Sequence, residues 1–320
     1  MIFFYQQMYI LSSKKILGAS SALICLLLFC IIIDSKNKAI ALELKPANSQ
    51  IIAIDSPYNY LDFPNLRDSQ KYQTIIKNAA DNNLAKRSMG EIVQQVAQQL
   101  LGSQYQAGLL DKSSYETLVV SLQQFDCMLF IETVLAIANN INRKEYGYQA
   151  FSKNLENRRY WNGTMNGYCS RLHYFSDWID DNQRRGNVEN ITKQLGGVDT
   201  IKKLNFMTTH RSSYPNLVKS DANFKCITSV EASLSDKFNY IPTKNIEQTY
   251  SQLKPGDIVG VATNIAGLDF THTGLVYRQP NGKIGLIHAS PAGKVVIAPD
   301  LQTYVSKVDN AIGIVVSRAK

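Results

Sequence analysis

Cys127 follows Phe125 and Asp126 and opens a segment in which residues 127, 130, 131, 134, 135 and 138 recur at helical spacing. A thiol at a helix start lies among backbone N–H groups that lack intrahelical partners. Those groups favour a thiolate and can hold an oxyanion that develops on an attacked carbonyl. The segment is apolar nearly all round apart from Glu132 and Thr133, so the helix is expected to be buried and the thiol rigidly held. A nucleophilic thiol also needs an imidazole to take its proton and a third group to hold the other ring nitrogen. The sequence has four histidines: His173, His210, His272 and His288. His272 opens one apolar run and His288 closes the next, with Asn281-Gly282 between them. That dipeptide is the strongest short hairpin signal, so the two strands should lie side by side and bring the imidazoles together. Cys127 is thus the candidate nucleophile, His272 the base and His288 its orienter. Buried cysteines are commonly inert, and it is the pair of histidines on one hairpin that makes Cys127 informative. No metal is expected: there is no His-Glu-x-x-His helix and no paired-cysteine spacing. No cofactor is expected either.

The elements that must position these residues fall into two blocks. Helices are expected over 68–82, from a capping box at Ser88 and Glu91, over 127–142, and in more polar form over 146–158 and 173–185. A β-rich stretch, Glu116–Leu122, is expected to lead into the Cys127 turn. Residues 205–250 are mixed and carry no assignable pattern. Strands then follow over 256–261, 271–277, 283–289, 294–298 and 311–317. Helices first and an antiparallel sheet afterwards means an α+β fold, with residues 67–320 as one domain. Residues 42–66, with Pro46, Pro57 and Pro64, are expected as an extended lead-in.

Ile16–Ile33 is an uncharged apolar run preceded by Lys14 and Lys15, and Ala39-Ile40-Ala41 follows it. Residues 1–41 therefore have the form of a signal peptide. The alternative is a retained membrane anchor through residues 16–33, which just reach spanning length. Either way the remainder is expected outside the cytoplasm, in the periplasm or cell envelope. Cys30 does not mark a lipoprotein signal, because Phe29 precedes it where a small residue is needed. Removing residues 1–41 takes four basic residues and one acidic one from totals of 34 and 26, leaving a net charge of +5. That excess is too diffuse for a nucleic-acid groove. Three cysteines then remain, and an odd count in an oxidising compartment leaves a thiol free or an intermolecular pair. A Cys169–Cys226 disulfide would leave Cys127 as the free one.

Phe125-Asp126-Cys127, His272-Thr273-Gly274, His288-Ala289-Ser290 and the strand Gly256–Val259 together resemble the cell-wall cysteine hydrolases of the NlpC type, which have a papain-like core. More narrowly, Leu118–Val120, Arg171–Trp178, Leu268–His272 and Gly313–Arg318 resemble the N-acetylmuramoyl-L-alanine amidase-like family within that superfamily. The likeness spans about residues 70–320, with the motifs in the same order. One departure is Met128-Leu129 after the cysteine, where many relatives carry small hydroxyl residues. The resemblance implies catalysis by Cys127, His272 and His288 on peptidoglycan or muropeptides, at the bond between muramic acid's lactyl group and L-alanine. The segment Arg171–Trp178 is the candidate substrate contact. There Arg171 would pair with a stem-peptide carboxylate and Trp178 or Tyr174 would stack on sugar, with His173, Asp126, Asp177 and Asp269 nearby. The competing reading of Trp178 and Tyr174 is a buried helix face. Rival functions on the same machinery are an endopeptidase between D-glutamate and the diamino acid, a non-catalytic wall-binding protein, and a thiol acyltransferase.

Overall fold

The computed structural model describes residues 65–320, so the expectations for residues 1–41 and for nearly all of the lead-in lie outside the described residues. Its centre is the helix Cys127–Arg143, which begins at the candidate nucleophile and is called the nucleophile helix on that account. Asp126 stands at the N-cap in extended conformation, and its side chain accepts from the Leu129 N–H at 2.7 Å. Lys144, at φ +58°, ends the helix in the left-handed region. Thirteen of its 17 residues are buried, as the all-round apolar sequence requires. Three amphipathic helices cover it: Leu66–Asp81 with Tyr72 and Ile75 inward, Met89–Gln99, and Tyr148–Arg159. Ser88 and Glu91 form the capping box that starts the second of these.

A ten-stranded sheet packs beneath. Its strands are β1 (Gln104–Tyr105), β2 (Gln124–Phe125), β3 (Val188–Asn190), β4 (Val198–Ile201) and β5 (Lys237–Pro242). They continue with β6 (Ile258–Thr263), β7 (Phe270–Arg278), β8 (Ile284–Ser290), β9 (Lys294–Ala298) and β10 (Ala311–Ala319). The order is β2-β1-β9-β8-β7-β6-β10-β5-β4, with β3 also on β10. Only β1 and β2 run parallel, so the whole is a mixed α+β fold. Strands β6, β7 and β8 are buried on both faces. Ile258, Leu275 and Ile287 meet the nucleophile helix side, whereas Val259, Val276 and Leu286 meet the helix Leu301–Ser306. Asn281-Gly282 makes the β7–β8 turn, with Gly282 at φ +83°.

Two expectations change. Glu116–Leu122 forms no strand, and the strand before Cys127 begins only at Gln124. The backbone of Glu116–Leu122 is satisfied by side chains instead: Arg159 Nη1 donates to Val119 O at 2.7 Å, and Leu122 N donates to Asp68 Oδ1 at 2.9 Å. The unassigned 205–250 region contributes the helix Asp221–Ser233 and β5. It builds a third apolar cluster around Tyr174, Phe206, Tyr214 and Ile227. The structure joins Cys169 to Cys226, with Cα atoms 6.2 Å apart, and so fastens this cluster to the residues before Arg171.

Arg159 also pairs with Glu132 at 2.7 Å, the two side chains being 1% and 3% exposed. Removing one partner of such a pair strands the other charge in the interior. Arg159→Ala is expected to destabilise the fold by about 3–5 kcal/mol in urea denaturation; a loss below about 1 kcal/mol would show that Glu132 is not left as a buried charge.

Candidate active site

The site forms where a strand ladder stops. Strands β7 and β8 pair from Arg278–Ile284 to Leu275–Ile287 and no further, while β8 runs on beside β9 to Ser290. Val276 N donates to Asp257 O on the β6 side at 2.7 Å, so strand alternation turns the Thr273 N–H towards β8, beyond the end of the ladder. The Cys127 thiol lies beside Thr273, whose backbone and hydroxyl favour its ionised form. Thr273 also donates to Met128 Sδ at 3.9 Å, which ties the first turn of the nucleophile helix to β7. Cys127 is fully buried and is the free cysteine among the described residues.

His272, the next residue along β7, points to the opposite side of the strand. Its Nε2 lies 2.8 Å from His288 Nδ1, with the rings edge to face. The approach requires the glycine between them: a Cβ on Gly274 would lie 2.9 Å from Leu286 and 3.0 Å from the Cβ of His288. His272 Nδ1 is buried and makes no hydrogen bond. With Nε2 committed to His288, it is the nitrogen open to a thiol proton. Thr273, beside the thiol, and His272 are thus successive residues of β7 whose side chains lie on its two sides. Tyr304 covers the imidazole pair, 4.6 Å from the His288 ring and 6.0 Å from that of His272. Thr273 and Tyr304 were not singled out in the sequence. Thr273 is the middle residue of His-x-Gly and could have been marked there, while nothing local signals Tyr304.

The electrostatics run against a resting ion pair. Burial pushes the Cys127 thiol up to about 12, the Asp126 carboxyl adds to this, and the Thr273 hydrogen bonds only partly oppose it. Burial also lowers His272 well below the usual imidazole range, with His288 contributing, and lowers His288 to about 4. Desolvation and the acidic N-cap thus work against the ionisation expected from the helix start, and these shifts favour the uncharged forms of the three groups at neutral pH.

The Arg171–Trp178 segment is largely interior. Arg171 pairs with Asp111 at 2.6 Å and with Glu116 at 3.8 Å, so its charge is met within the protein rather than by a ligand. Trp178 is fully buried and stacked on Phe175, and the Tyr174 hydroxyl donates to Glu231 at 2.6 Å. Neither offers a face for stacking on sugar. His173 Nε2 bonds the Tyr168 carbonyl at 2.8 Å, and burial lowers this imidazole to about 3. Asp269 accepts from the N–H and hydroxyl of Ser176, both at 2.8 Å, which anchors the helix Phe175–Arg184 to the start of β7. His210 lies apart, stacked on Phe206. Asp126, Met128, Arg171 and His173 line a cavity of about 40 Å³ near the start of the nucleophile helix, and Cys127 does not line it. Among the described residues no cluster of His, Cys, Asp and Glu could hold a metal.

Residues 95–314 match the model of the N-acetylmuramoyl-L-alanine amidase-like family. The chain belongs to this family. A solved structure described as an N-acetylmuramoyl-L-alanine amidase from Bacteroides uniformis is 30% identical, with a TM-score of 0.69; the alignment covers 72% of this chain and 99% of that one. A structure described as a putative xylanase from Bacteroides fragilis is 32% identical over 70% and 99% of the two chains, with a TM-score of 0.65. A Legionella pneumophila protein, 22% identical over 78% and 94% of the chains at a TM-score of 0.59, shares the fold. No curated protein matches significantly.

For this member of the amidase-like family, a neutral buried thiol sets a measurable reactivity. Alkylation of Cys127 by iodoacetamide follows the thiolate fraction. Its rate should climb steadily between about pH 7 and pH 10 without levelling, followed by mass spectrometry of the labelled peptide. A plateau reached near neutral pH would mean a preformed thiolate–imidazolium pair instead.

Proposed function

We propose that this chain is an exported, cysteine-dependent amidase of peptidoglycan or muropeptides, built on an NlpC-type papain-like core. Its expected scissile bond joins the lactyl group of N-acetylmuramic acid to L-alanine. The observation that carries this reading is the His272–His288 pair at 2.8 Å, with the second His272 nitrogen unbonded one residue from the thiol's anchor. Membership of the amidase-like family and the described activity of the Bacteroides uniformis neighbour supply the substrate class. Export rests on the apolar run and the Ala39-Ile40-Ala41 site.

The chemistry follows from the resting charges. Because the thiol is neutral, its proton moves to His272 Nδ1 as sulfur attacks the amide carbonyl, rather than beforehand. The imidazolium that forms is held by His288, which must then accept from His272 Nε2–H through its own Nδ1. The first intrahelical bond runs from Phe130 N to Asp126 O, and Asp126 takes the Leu129 N–H. The Cys127 and Met128 N–H groups therefore remain for the oxyanion. His272 then protonates the leaving L-alanyl amine, and water, giving its proton back to His272, cleaves the thioester.

Cys127→Ala should abolish turnover of muropeptides while leaving the thermal unfolding curve in place, because the lost sulfur is a small part of a large core. Mass spectrometry of wild-type products should show free muramoyl sugar and a peptide beginning with L-alanine. Recovery of a muramoyl-L-alanyl-D-glutamate fragment would assign the enzyme to the endopeptidases instead, and activity in the alanine variant would remove the cysteine mechanism.

His288 acts through His272. His288→Ala is expected to lower kcat by about 10²- to 10⁴-fold with KM little changed, and His288→Asn to recover part of the loss. Equal kcat in the alanine variant would end the orienting role.

A further inference from the structure

Side chains alternate along a strand, so His272 stands on the side of Val276, and His288 on that of Leu286. Val276 and Leu286 share an apolar cluster with Leu301 and Val305 of the helix Leu301–Ser306. Leu301, Tyr304 and Val305 recur at i, i+3 and i+4 and therefore lie on one side of that helix. Tyr304 is thereby carried onto the imidazoles, its ring centre 4.6 Å from that of His288 and 6.0 Å from that of His272. The catalytic steps above make no use of it.

The helix is held in place by other groups. Asp300 caps it, accepting from the Thr303 N–H at 2.7 Å. The Tyr250 hydroxyl donates to Asp300 at 3.1 Å and accepts from the Gln302 N–H at 2.8 Å. Leu301 and Val305 are fully buried beneath it. Tyr304 is half-buried. Among the described residues its ring contacts are the two histidines, and its hydroxyl has no hydrogen-bond partner. The ring is thus placed for the histidines rather than for the helix.

We propose that Tyr304 is a positioning residue for the imidazole pair: its ring is the wall that keeps water from His288 and holds it against His272. An aromatic ring covers an imidazole without drawing either nitrogen from the bond between the two histidines. Few groups can set the charge of the pair. Val261 on β6 lies opposite His272 and Val296 on β9 opposite His288, and both are apolar. Tyr304 itself stays neutral, because burial and a charge on Cys127 both raise its hydroxyl. Burial lowers His288, and burial together with His288 lowers His272; Asp300 and Lys307, at the two ends of the helix, contribute to neither. Opening the wall hydrates the charged form and so raises the imidazoles. The proposal rests on the reading of His272 as base and His288 as its orienter, and it adds what keeps that base unprotonated.

The test is a proton NMR titration of the histidines in the full chain, which needs no substrate; the signal lost in His288→Asn identifies His288. In the wild type His288 should titrate near pH 4, since burial lowers it to about 4. Tyr304→Ala should move it up by about one unit or more, a tenfold rise in proton affinity, and Tyr304→Phe should leave it within about 0.3 unit. His173, buried against Tyr168, should move in neither variant. An unmoved His288 in Tyr304→Ala, or an equal shift in Tyr304→Phe, would overturn the proposal, as would a shift shared by His173, which signals a loosened fold. If Tyr304→Ala fails to fold, Tyr304→Leu keeps apolar bulk on the helix but uncovers part of His288, and should raise it by about half a unit; no rise there is equally fatal. On muropeptides the acid limb of the kcat/KM profile should move up with His288 in Tyr304→Ala and return in Tyr304→Phe. A wild-type protein that cleaves no muropeptide would count against the amidase reading, and the titration would still decide the role of Tyr304.

Discussion

The site depends on one constraint: the β7–β8 ladder ends at Leu275–Ile287, and the buried helix that begins at Cys127 packs against β7 just beyond that end, beside Thr273. A sheet edge left open inside a protein would strand polar groups. Here the first turn of a buried helix covers that end of β7, with Thr273 donating to Met128 Sδ, and so places the candidate nucleophile beside the strand. The nucleophile helix can serve this way because it is apolar all round and clamped by three other helices and the sheet. Its one buried carboxylate, Glu132, is met by Arg159, whose other arm holds the Val119 carbonyl in the loop leading towards Phe125. The contacts that hold this helix therefore also fix where Cys127 stands.

The cost of that burial is electrostatic. A thiol at a helix start is ordinarily easier to ionise, but this one is sealed from water and sits beside the Asp126 carboxyl. Both imidazoles are likewise held neutral. A neutral resting site suits the proposed mechanism, in which charges appear only during attack, when the oxyanion and the imidazolium form together in a water-poor setting. It also leaves the thiol poorly reactive toward small electrophiles when substrate is absent.

The segment Arg171–Trp178 shows how residue type misleads when burial is unknown. An arginine flanked by aromatics has the composition of a carboxylate- and sugar-binding surface. In the structure Arg171 closes an internal ion pair with Asp111 across 60 residues of chain, and Trp178 fills the core against Phe175. The segment's link to the site is architectural. Asp269, at the start of the histidine strand, holds its helix through Ser176. The Cys169–Cys226 disulfide secures the residues before it.

By itself the sequence determined what local pattern can carry. The 3.6-residue apolar period fixed the nucleophile helix and its first residue, Asp126 is a strong N-cap type, and Asn281-Gly282 dictated the hairpin that aligns His272 with His288. Those features rest on backbone geometry and nearest neighbours, and they survived folding. Protonation and exposure rest on what surrounds a group from distant parts of the chain, and these only the tertiary structure decided. Burial made the thiol neutral, Asp111 and Glu116 claimed Arg171, and side chains rather than a strand satisfied Glu116–Leu122.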